Sequence, residues 1–287
     1  MAAVILDGKE IAERIKDILK GQIDELKKRY NLTPALASIQ VGENPAAAAY
    51  LRGQQKNASL LGIDFKTHIL KDETSQQELI DLIKGLNKDE SITGILLQLP
   101  LPKHMNSKEI SKFVDPLKDV EGMHPENMGQ CVFGNVRIGT CTSLAVMELI
   151  KATGIDLYGK EAVVVGHSEI VGKPVSLLLL DKFATVTVCH IATGQRGTLP
   201  EHVKRAEILV VSVGKPGLIK GEWIKEGAVV IDVGINRVGD KIVGDVEFEK
   251  AVDVAGYITP VPGGVGPLTV TMLMRNLVEA FKLQKGV

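Results

Sequence analysis

The sequence predicts an α/β protein with two domains, one of which contains a parallel sheet. Strand and helix patterns alternate from near the first residue to near the last, which is typical of an α/β architecture. The second half contains continuous runs of β-branched residues, as expected for parallel strands that are covered on both faces. A chain of 287 residues is long enough to hold two ordinary domains.

In the first half of the chain, the sequence predicts a helix followed by alternating strands and helices. Apolar residues at helical spacing indicate one buried face of an opening helix over residues 11–26. Ala35 to Val41 is an apolar run that Gly42 ends, and it predicts a buried strand. Pro45 suits the first turn of the next helix, which we expect to continue to about Leu61. The remaining predicted elements are strand Phe65 to Leu70, helix Gln76 to Leu86 and strand Gly94 to Leu97.

The second half predicts a short helix, Leu144 to Lys151, and then the β-branched strands. These strands are Ala162 to Val165, Thr185 to Cys189, Ile208 to Val213 and Val229 to Val233. The closing segment from Val270 to Phe281 has apolar residues at i, i+3, i+4 and i+7 spacing. It therefore predicts an amphipathic helix that must bury one face in a groove.

The composition narrows the classes of function. A hydrophobic fraction of 45%, a charged fraction of 24% and a net charge of -1 indicate a soluble protein that neither nucleic acid nor an anionic membrane attracts. No apolar run approaches the length of a membrane span, and the first residues reach a charge too early for a secretory signal. The three cysteines are too widely spaced for a metal site or a disulfide framework, so we expect no metal and a cytoplasmic location.

A turn between a strand and an apolar helix is the first candidate binding site. Gly166, His167 and Ser168 begin this turn, and Gly172 follows. Glycines permit a tight turn, and the amides at the start of the helix can bind a pyrophosphate. The segment departs from G-x-G-x-x-G because Ser168 replaces the second glycine, so a tight turn without a ligand remains an alternative. The strand–helix–strand order favours a dinucleotide site.

The residues after the second strand of this half bear on the choice of cofactor. The strand ends in Cys189-His190-Ile191, without the acidic residue that binds an adenosine ribose, so NAD is not indicated. Arg196 and His167 are candidates to face a 2′-phosphate. An exposed loop arginine is an equally acceptable interpretation of Arg196.

A glycine- and proline-rich segment directly before the closing helix is the second candidate site. Residues 260–267 contain three glycines and three prolines, and they follow Asp232 to Asn236, another glycine-containing turn. Such a loop is rigid and exposes backbone amides, which suits a flat ring lying against the main chain. The alternative is a simple turn, which rarely needs so much glycine and proline.

In chain order, these segments resemble the methylenetetrahydrofolate dehydrogenase and methenyltetrahydrofolate cyclohydrolase family. The matching segments are Val41 to Pro45 with Tyr50, Gly94 to Pro102, Lys118 to Gly122, the Gly166 turn, Asp232 to Asn236 and Thr259 to Thr269. The resemblance implies a folate-side α/β domain over residues 1–140, to which a last helix, 269–284, returns. It also implies a Rossmann-type doubly wound NAD(P)-binding domain over 141–268, an active-site cleft between the domains, and a homodimer.

The resemblance also implies the residues of the site. The catalytic residues on the folate side are expected to be Tyr50, Gln54, Gln98 and Glu121. The substrate is expected to contact Tyr50, Gln98, Leu99, Pro100, Glu121, Pro262, Gly263 and Gly264. The cofactor, NADP with NAD as the alternative, is expected to contact Gly166, His167, Ser168, Ile191, Arg196 and Ile235.

Residue 54 departs from the family pattern. The family carries a lysine four residues after the tyrosine, and side chains at i and i+4 lie about 40° apart on a helix, so both point the same way. Here that residue is Gln54, and Lys56 lies about 200° around the helix from it and cannot simply replace the lysine. Further departures from the family pattern are Ala47 for serine, Glu121 for aspartate, and Thr140 to Ser143 for Pro-Cys-Thr-Pro.

The chemistry separates the two activities of the family. Hydride transfer from the methylene carbon needs positioning and electrostatics but no titrating side chain. Hydrolysis of the methenyl cation needs proton transfer, which glutamine cannot perform and which is typically worth about 10²–10⁴-fold in rate. We therefore expect NAD(P)-dependent oxidation of 5,10-methylenetetrahydrofolate, with cyclohydrolase activity weak or lost and supplied by a separate protein.

Two alternatives remain open. One is a bifunctional dehydrogenase and cyclohydrolase, in which Glu121 or a chain of water molecules carries the proton. The other, from a different class, is a non-catalytic dinucleotide- or folate-binding protein.

Overall fold

The computed structural model describes residues 2–42 and 45–287, and the side chains of all of these except residues 45–49. Glu43 and Asn44, which belong to the motif before Tyr50, and the side chain of Ala47 therefore lie outside the described residues. The chain divides into two compact units. The six-stranded unit comprises the chain up to Glu13 and Thr142–Thr269, and the three-stranded unit comprises Arg14–Cys141 and Val270–Val287.

The elements follow one another in the order that an α/β protein requires. The described strands are β1 (Val4–Ile5), β2 (Ala35–Val41), β3 (Asp64–Leu70), β4 (Gly94–Leu97), β5 (Glu161–Val165), β6 (Thr185–Cys189), β7 (Ile208–Val211), β8 (Val229–Asp232), β9 (Asn236–Val238), β10 (Lys241–Val243) and β11 (Tyr257–Ile258). The described helices are α1 (Gly8–Tyr30), α2 (Pro45–Leu60), α3 (Gln76–Lys88), α4 (Ser107–Ser111), α5 (Pro125–Gln130), α6 (Cys141–Ala152), α7 (Gly172–Asp181), α8 (Ile191–Gln195), α9 (Leu199–Arg205), α10 (Phe248–Ala251) and α11 (Val265–Gln284), with a 3₁₀ turn at Gly221–Trp223.

The three-stranded unit contains a parallel sheet of order β3-β2-β4. Every residue of the central strand β2 is buried, because both of its edges are paired and its side chains are apolar or small apart from Gln40. Helix α3 begins with a capping box formed by Ser75 and Glu78, and its buried residues pack in the same apolar cluster as the β2 side chains. The backbone N–H of Gln98 bonds to Ile39 O and extends the ladder by one residue beyond β4.

The six-stranded unit contains a parallel sheet of order β1-β11-β8-β7-β5-β6. Strands β7 and β8 are buried along their whole length, as their continuous apolar sequences require. In the register, Val165 pairs with both Cys189 and Val211, and Val211 pairs with Asp232. The carboxyl ends of these strands therefore meet at one edge of the sheet. The predicted α/β fold with a Rossmann-type parallel sheet is confirmed.

Three parts of the six-stranded unit differ from the elements that the sequence predicts. Val4–Ile5 pairs in parallel with β11 in the large sheet, although residues 1–140 were all assigned to the folate-side domain. The reason is long-range hydrogen bonding of the main chain, since the N–H groups of Val4 and Leu6 bond to Gly256 O and Ile258 O. Strand β11 itself and the antiparallel pair of β9 with β10 were not predicted, because strands of two or three residues carry no readable periodicity.

The last helix contributes its second part to the three-stranded unit. Leu277 is fully buried, and a Cβ placed on Gly94 would lie 2.6 Å from its Cδ1, so the helix packs directly on β4. Arg137 forms an ion pair with Glu279 at 3.0 Å on the same helix. Within the described residues, no helix combines the length and the apolar character needed to cross a membrane.

We predict that Leu277→Ala lowers the free energy of unfolding by about 2–5 kcal/mol, because it leaves a cavity against β4. Leu60→Ala is the matched control, since Leu60 is an exposed leucine in the same unit, and we expect it to change stability by less than about 0.5 kcal/mol. Urea unfolding followed by circular dichroism measures both variants. Equal stability of the two would contradict the packing described for α11.

Candidate active site

A buried amide pair lies in the three-stranded unit. Gln54, on α2, is 1% exposed, and Gln98, directly after β4, is 6% exposed. The Gln98 Nε2 donates hydrogen bonds to Gln54 Oε1 at 2.7 Å and to Ser38 Oγ at 3.0 Å. Ser38 was not predicted, although a serine within a largely apolar strand is a signal that can be recognised in the sequence. Lys56, by contrast, is exposed.

Tyr50 lies one helical turn before Gln54. Its residue surface is 42% exposed, yet desolvation of the hydroxyl group raises its pKa well above the ordinary value of 10.0. The charge of Glu121 acts in the same direction. The phenol therefore stays protonated at neutral pH and can donate a hydrogen bond to a ligand.

Glu121 is the titrating group of this cluster. Desolvation raises the pKa of its carboxyl to about 7, and the nearby charge of Asp119 adds to the shift. Asp119 is itself held in place, because its Oδ2 accepts hydrogen bonds from His124 N–H at 2.7 Å and Asn127 Nδ2 at 3.0 Å. Gly122 follows with φ +69°, and a Cβ there would lie 2.3 Å from the carbonyl carbon of Gly139. A glycine at 122 is therefore needed to hold Glu121 in this position.

The turn that carries Glu121 is fixed from behind by α11. The Asn276 Nδ2 donates to Val120 O at 2.9 Å and to Gly139 O at 2.8 Å. The Cys141 Sγ also lies 3.4 Å from Val120 O. Burial, followed by the charge of Glu121, raises the pKa of the Cys141 thiol well above its ordinary value, so it remains a neutral thiol. This cysteine is therefore not an activated nucleophile.

Leu99 and Pro100 directly follow Gln98 and are exposed, so the structure places them beside the amide pair. The other predicted substrate contacts, Pro262, Gly263 and Gly264, belong to the six-stranded unit, in the turn between β11 and α11. The Gly264 N–H bonds to Pro260 O at 2.9 Å and closes that turn.

A cavity of about 750 Å³ opens at the carboxyl ends of the parallel strands in the six-stranded unit. Its lining includes four of the predicted cofactor contacts: Gly166, His167, Ser168 and Ile191. The other two predicted contacts, Arg196 and Ile235, do not line the cavity within the described part of the chain. Gln195 and Gly197, on either side of Arg196, do line it. Lining residues that were not predicted as cofactor contacts include His190, Gln195, Gly197, Ser212, Val213, Lys215 and Trp223.

The geometry of the cavity fits a dinucleotide. Gly166 has φ +120°, and a Cβ there would lie 2.3 Å from Ser212 O, so only glycine lets the chain after β5 pass this close to Ser212 at the mouth of the cavity. The Ser212 Oγ is buried, and it has no hydrogen-bond partner within the described residues. A buried hydroxyl of this kind is satisfied when a bound ligand supplies the partner. The rings of His167 and His190 lie 5.3 Å apart.

Ser168 has a structural role that the glycine pattern of the sequence does not indicate. Its Oγ accepts hydrogen bonds from the N–H groups of Val171 and Gly172, at 3.2 and 3.4 Å. The hydroxyl thus caps the turn before α7. Within the described residues, no group of His, Cys, Asp and Glu side chains is arranged to hold a metal ion.

Comparisons with known proteins agree with this geometry over the whole chain. The family described as Tetrahydrofolate dehydrogenase/cyclohydrolase, catalytic domain, matches residues 6–121, and the one described as Tetrahydrofolate dehydrogenase/cyclohydrolase, NAD(P)-binding domain, matches residues 140–285. The "Bifunctional protein FolD" of Acetivibrio thermocellus is 53% identical over 285 residues, which is 99% of each chain.

Two solved structures are similar over nearly their full length. The bifunctional enzyme FolD-methylenetetrahydrofolate dehydrogenase/cyclohydrolase of Campylobacter jejuni is 43% identical with a TM-score of 0.94, covering 99% of this chain and 100% of that chain. The methylenetetrahydrofolate dehydrogenase-cyclohydrolase (FolD) of Trypanosoma brucei, complexed with NADP cofactor and inhibitor, is 38% identical with a TM-score of 0.95, covering 100% of both chains.

We predict that Glu121→Gln is stabilising at high pH relative to the wild type. The carboxyl binds its proton more tightly in the folded state, with a pKa of about 7 against an ordinary 4.5, so the wild type loses stability as pH rises through this interval. The loss is absent below pH 4.5, complete above about pH 7, and at most about 3 kcal/mol. Urea unfolding of both proteins at about pH 5 and about pH 8 measures it.

Comparing the two proteins at the same pH cancels the stability contribution of other buried carboxyls. One of these is Asp232, whose pKa desolvation raises to about 6. A stability difference between the variant and the wild type that does not change with pH would contradict the raised pKa of Glu121.

Proposed function

Because the chain belongs to the tetrahydrofolate dehydrogenase/cyclohydrolase family, we propose that it is a bifunctional enzyme, which oxidises 5,10-methylenetetrahydrofolate with NADP and then hydrolyses the methenyl product. The expectation of a folate dehydrogenase from this family is confirmed. The names of the relatives favour the bifunctional alternative over the expectation that cyclohydrolase is weak or lost. The observation that carries the proposal is the carboxyl of Glu121, with a pKa of about 7, beside Tyr50.

The two parts of the chain take separate roles in this proposal. We assign the folate to residues 1–140 with the last helix, 269–284, except that β1 belongs to the large sheet. We assign NADP, with NAD as the alternative, to residues 141–268, where the cavity lies. The proposal includes a homodimer, which the family resemblance suggests. It also includes a cytoplasmic location, which the composition suggests.

The dehydrogenase step relies on position rather than on a titrating side chain. When bound, the nicotinamide ring supplies the hydride acceptor. Gly166 lets the turn after β5 pack closely against Ser212, and the unpaired Ser212 hydroxyl can donate a hydrogen bond to the cofactor. On the folate side, the Tyr50 phenol stays protonated, and the Gln54–Gln98 pair presents a fixed amide to the pterin.

The cyclohydrolase step needs a group that takes a proton from water. A general base works best when its pKa lies near the operating pH, and Glu121 meets this condition. Its ionised carboxyl accepts the proton of the attacking water, and the protonated form returns a proton to the ring nitrogen that leaves. Gln54 cannot exchange a proton, so its part is to orient Gln98.

A second candidate function rests on Gln54 itself. We infer that Gln54 stands where the family carries its lysine, since it is four residues after Tyr50 and is buried against Gln98. If the lysine is indispensable for hydrolysis, the enzyme is a dehydrogenase that releases methenyltetrahydrofolate. A non-catalytic binding protein is a third candidate, which a nicotinamide absorbance assay with methylenetetrahydrofolate tests directly.

We predict that the wild type both reduces NADP and consumes methenyltetrahydrofolate faster than the spontaneous rate. Glu121→Gln should lower the rate of methenyl consumption by about 10²–10⁴-fold, because the general base is lost. Glu126→Gln is the matched control, an exposed glutamate in the next helix, and should leave both activities unchanged. The proposal fails if the wild type oxidises its substrate while methenyl decays only at the spontaneous rate, and the second candidate then takes its place.

Gln54→Lys tests the position that distinguishes the two candidates. Under the second candidate it should raise methenyl consumption by about 10²-fold, because an amine with a pKa lowered by burial exchanges protons beside Tyr50. If Glu121 already carries the proton, the rate should stay near that of the wild type. Gln55→Lys, at the exposed neighbouring position, is the control and should behave as the wild type. Equal rates for both lysine variants would show that residue 54 is not a site of proton transfer. Absorbance of the methenyl compound measures the decay.

A further inference from the structure

Asp245 is a fully buried carboxylate in the six-stranded unit, between β10 and α10. Its Oδ2 accepts hydrogen bonds from the backbone N–H groups of Val213 at 2.6 Å and Gly214 at 2.9 Å. Its Oδ1 accepts from the N–H of Lys215 at 2.8 Å. The carboxylate therefore accepts a backbone hydrogen bond from each of residues 213–215, in the loop that follows β7.

The same carboxylate is bonded to the segment that follows β8. The Asn236 Nδ2 donates to Asp245 Oδ1 at 2.8 Å. The N–H of Asp245 in turn donates to Asp232 Oδ1 at 3.0 Å, and this oxygen also accepts from Gly234 N–H at 2.9 Å. Two buried carboxylates thus connect the ends of β7, β8 and β10.

The main chain is shaped to admit these carboxylates. A Cβ on Gly234 would lie 2.3 Å from Asp245 Cγ, and a Cβ on Gly244 would lie 2.0 Å from Asp232 Oδ2. No side chain can be added at either glycine without displacing a carboxylate. The position of Asp245 is therefore fixed from both sides.

The loop of residues 213–215 has little else to hold it. Each of its residues is exposed, so apolar packing does not determine its conformation. A buried carboxylate is costly unless N–H donors surround it, and here the loop supplies those donors. The geometry of the loop therefore depends on Asp245.

Val213 and Lys215 line the cavity assigned above to NADP. Ile235, a predicted cofactor contact, lies between Gly234 and Asn236, which take part in the hydrogen bonds of the two carboxylates. From this arrangement we infer that Asp245 is a positioning residue for the cofactor, which sets the geometry of the two segments following β7 and β8. The inference rests on the proposed function, because it takes NADP as the occupant of the cavity. Asp245 does not itself line the cavity among the described residues.

The test is the variant Asp245→Asn, assayed as the full chain. In either orientation of the amide, one of the oxygens that accept these N–H groups becomes an NH₂ group, so the donors on that side lose their acceptor. We expect NADP to bind about tenfold more weakly, the effect of one lost or misplaced hydrogen bond. The KM for methylenetetrahydrofolate should stay at the wild-type value. Asp253→Asn, at an exposed position in the same unit, is the matched control and should bind NADP as the wild type does.

Hydrogen exchange distinguishes positioning from a general loss of stability. In Asp245→Asn the amides of residues 213–215 should exchange faster, while those of β5 and β7 remain protected. Loss of protection throughout the unit would overturn the inference in favour of a purely structural role. If Asp245→Asn does not fold, Asn236→Ala carries the same test, because it removes one donor and leaves the backbone donors in place.

Isothermal titration of the wild type with NADP separates this inference from the proposed function. A wild type that does not bind NADP would refute the assignment of the cavity and leave the inference without a basis. A wild type that binds NADP, with Asp245→Asn and Asn236→Ala binding it equally well, would overturn the inference alone.

Discussion

Parallel pairing of strands brings their carboxyl ends to one edge of each sheet, and both candidate sites depend on this constraint. In the six-stranded unit it places Gly166, His190 and Ser212 around one cavity, although they lie far apart in the sequence. In the three-stranded unit it places Gln98 next to Ser38. The loops that leave such an edge have little apolar surface to bury, so polar contacts must hold them. Buried carboxylates and close-fitting glycines supply these contacts.

The same desolvation has opposite consequences for different side chains on the folate side. It keeps Tyr50 and Cys141 protonated, so these groups donate hydrogen bonds and do not act as bases. It moves the carboxyl of Glu121 towards neutral pH, where a small change in surroundings decides whether the proton is bound. The amide pair of Gln54 and Gln98 has no charge to shift. The residue type at each of these positions thus decides the chemistry of the cluster.

Long apolar elements could be predicted from the sequence, and short or polar features could not. The predicted bounds of β2, β4 and β6 agree with the structure, because apolar and β-branched residues predominate in each of them. Of the predicted cofactor contacts, those in the glycine turn line the cavity, because local chain geometry determines their position. Ser212, Lys215 and Asp245 were missed, since pairing of β7 and β8 brings them together across about 30 residues. The residues predicted for each site remain assignments that mutagenesis must test.

Each unit of the fold is completed by a segment from the opposite end of the chain. The large sheet takes in β1, and the small sheet is covered by residues 270–287. During synthesis on the ribosome, the amino-terminal half emerges first. The surface of β4 around Gly94 has no Leu277 to cover it until residues 270–287 have been translated. The three-stranded unit is therefore completed only after residues 270–287 have been synthesised, and until then β4 exposes an apolar surface.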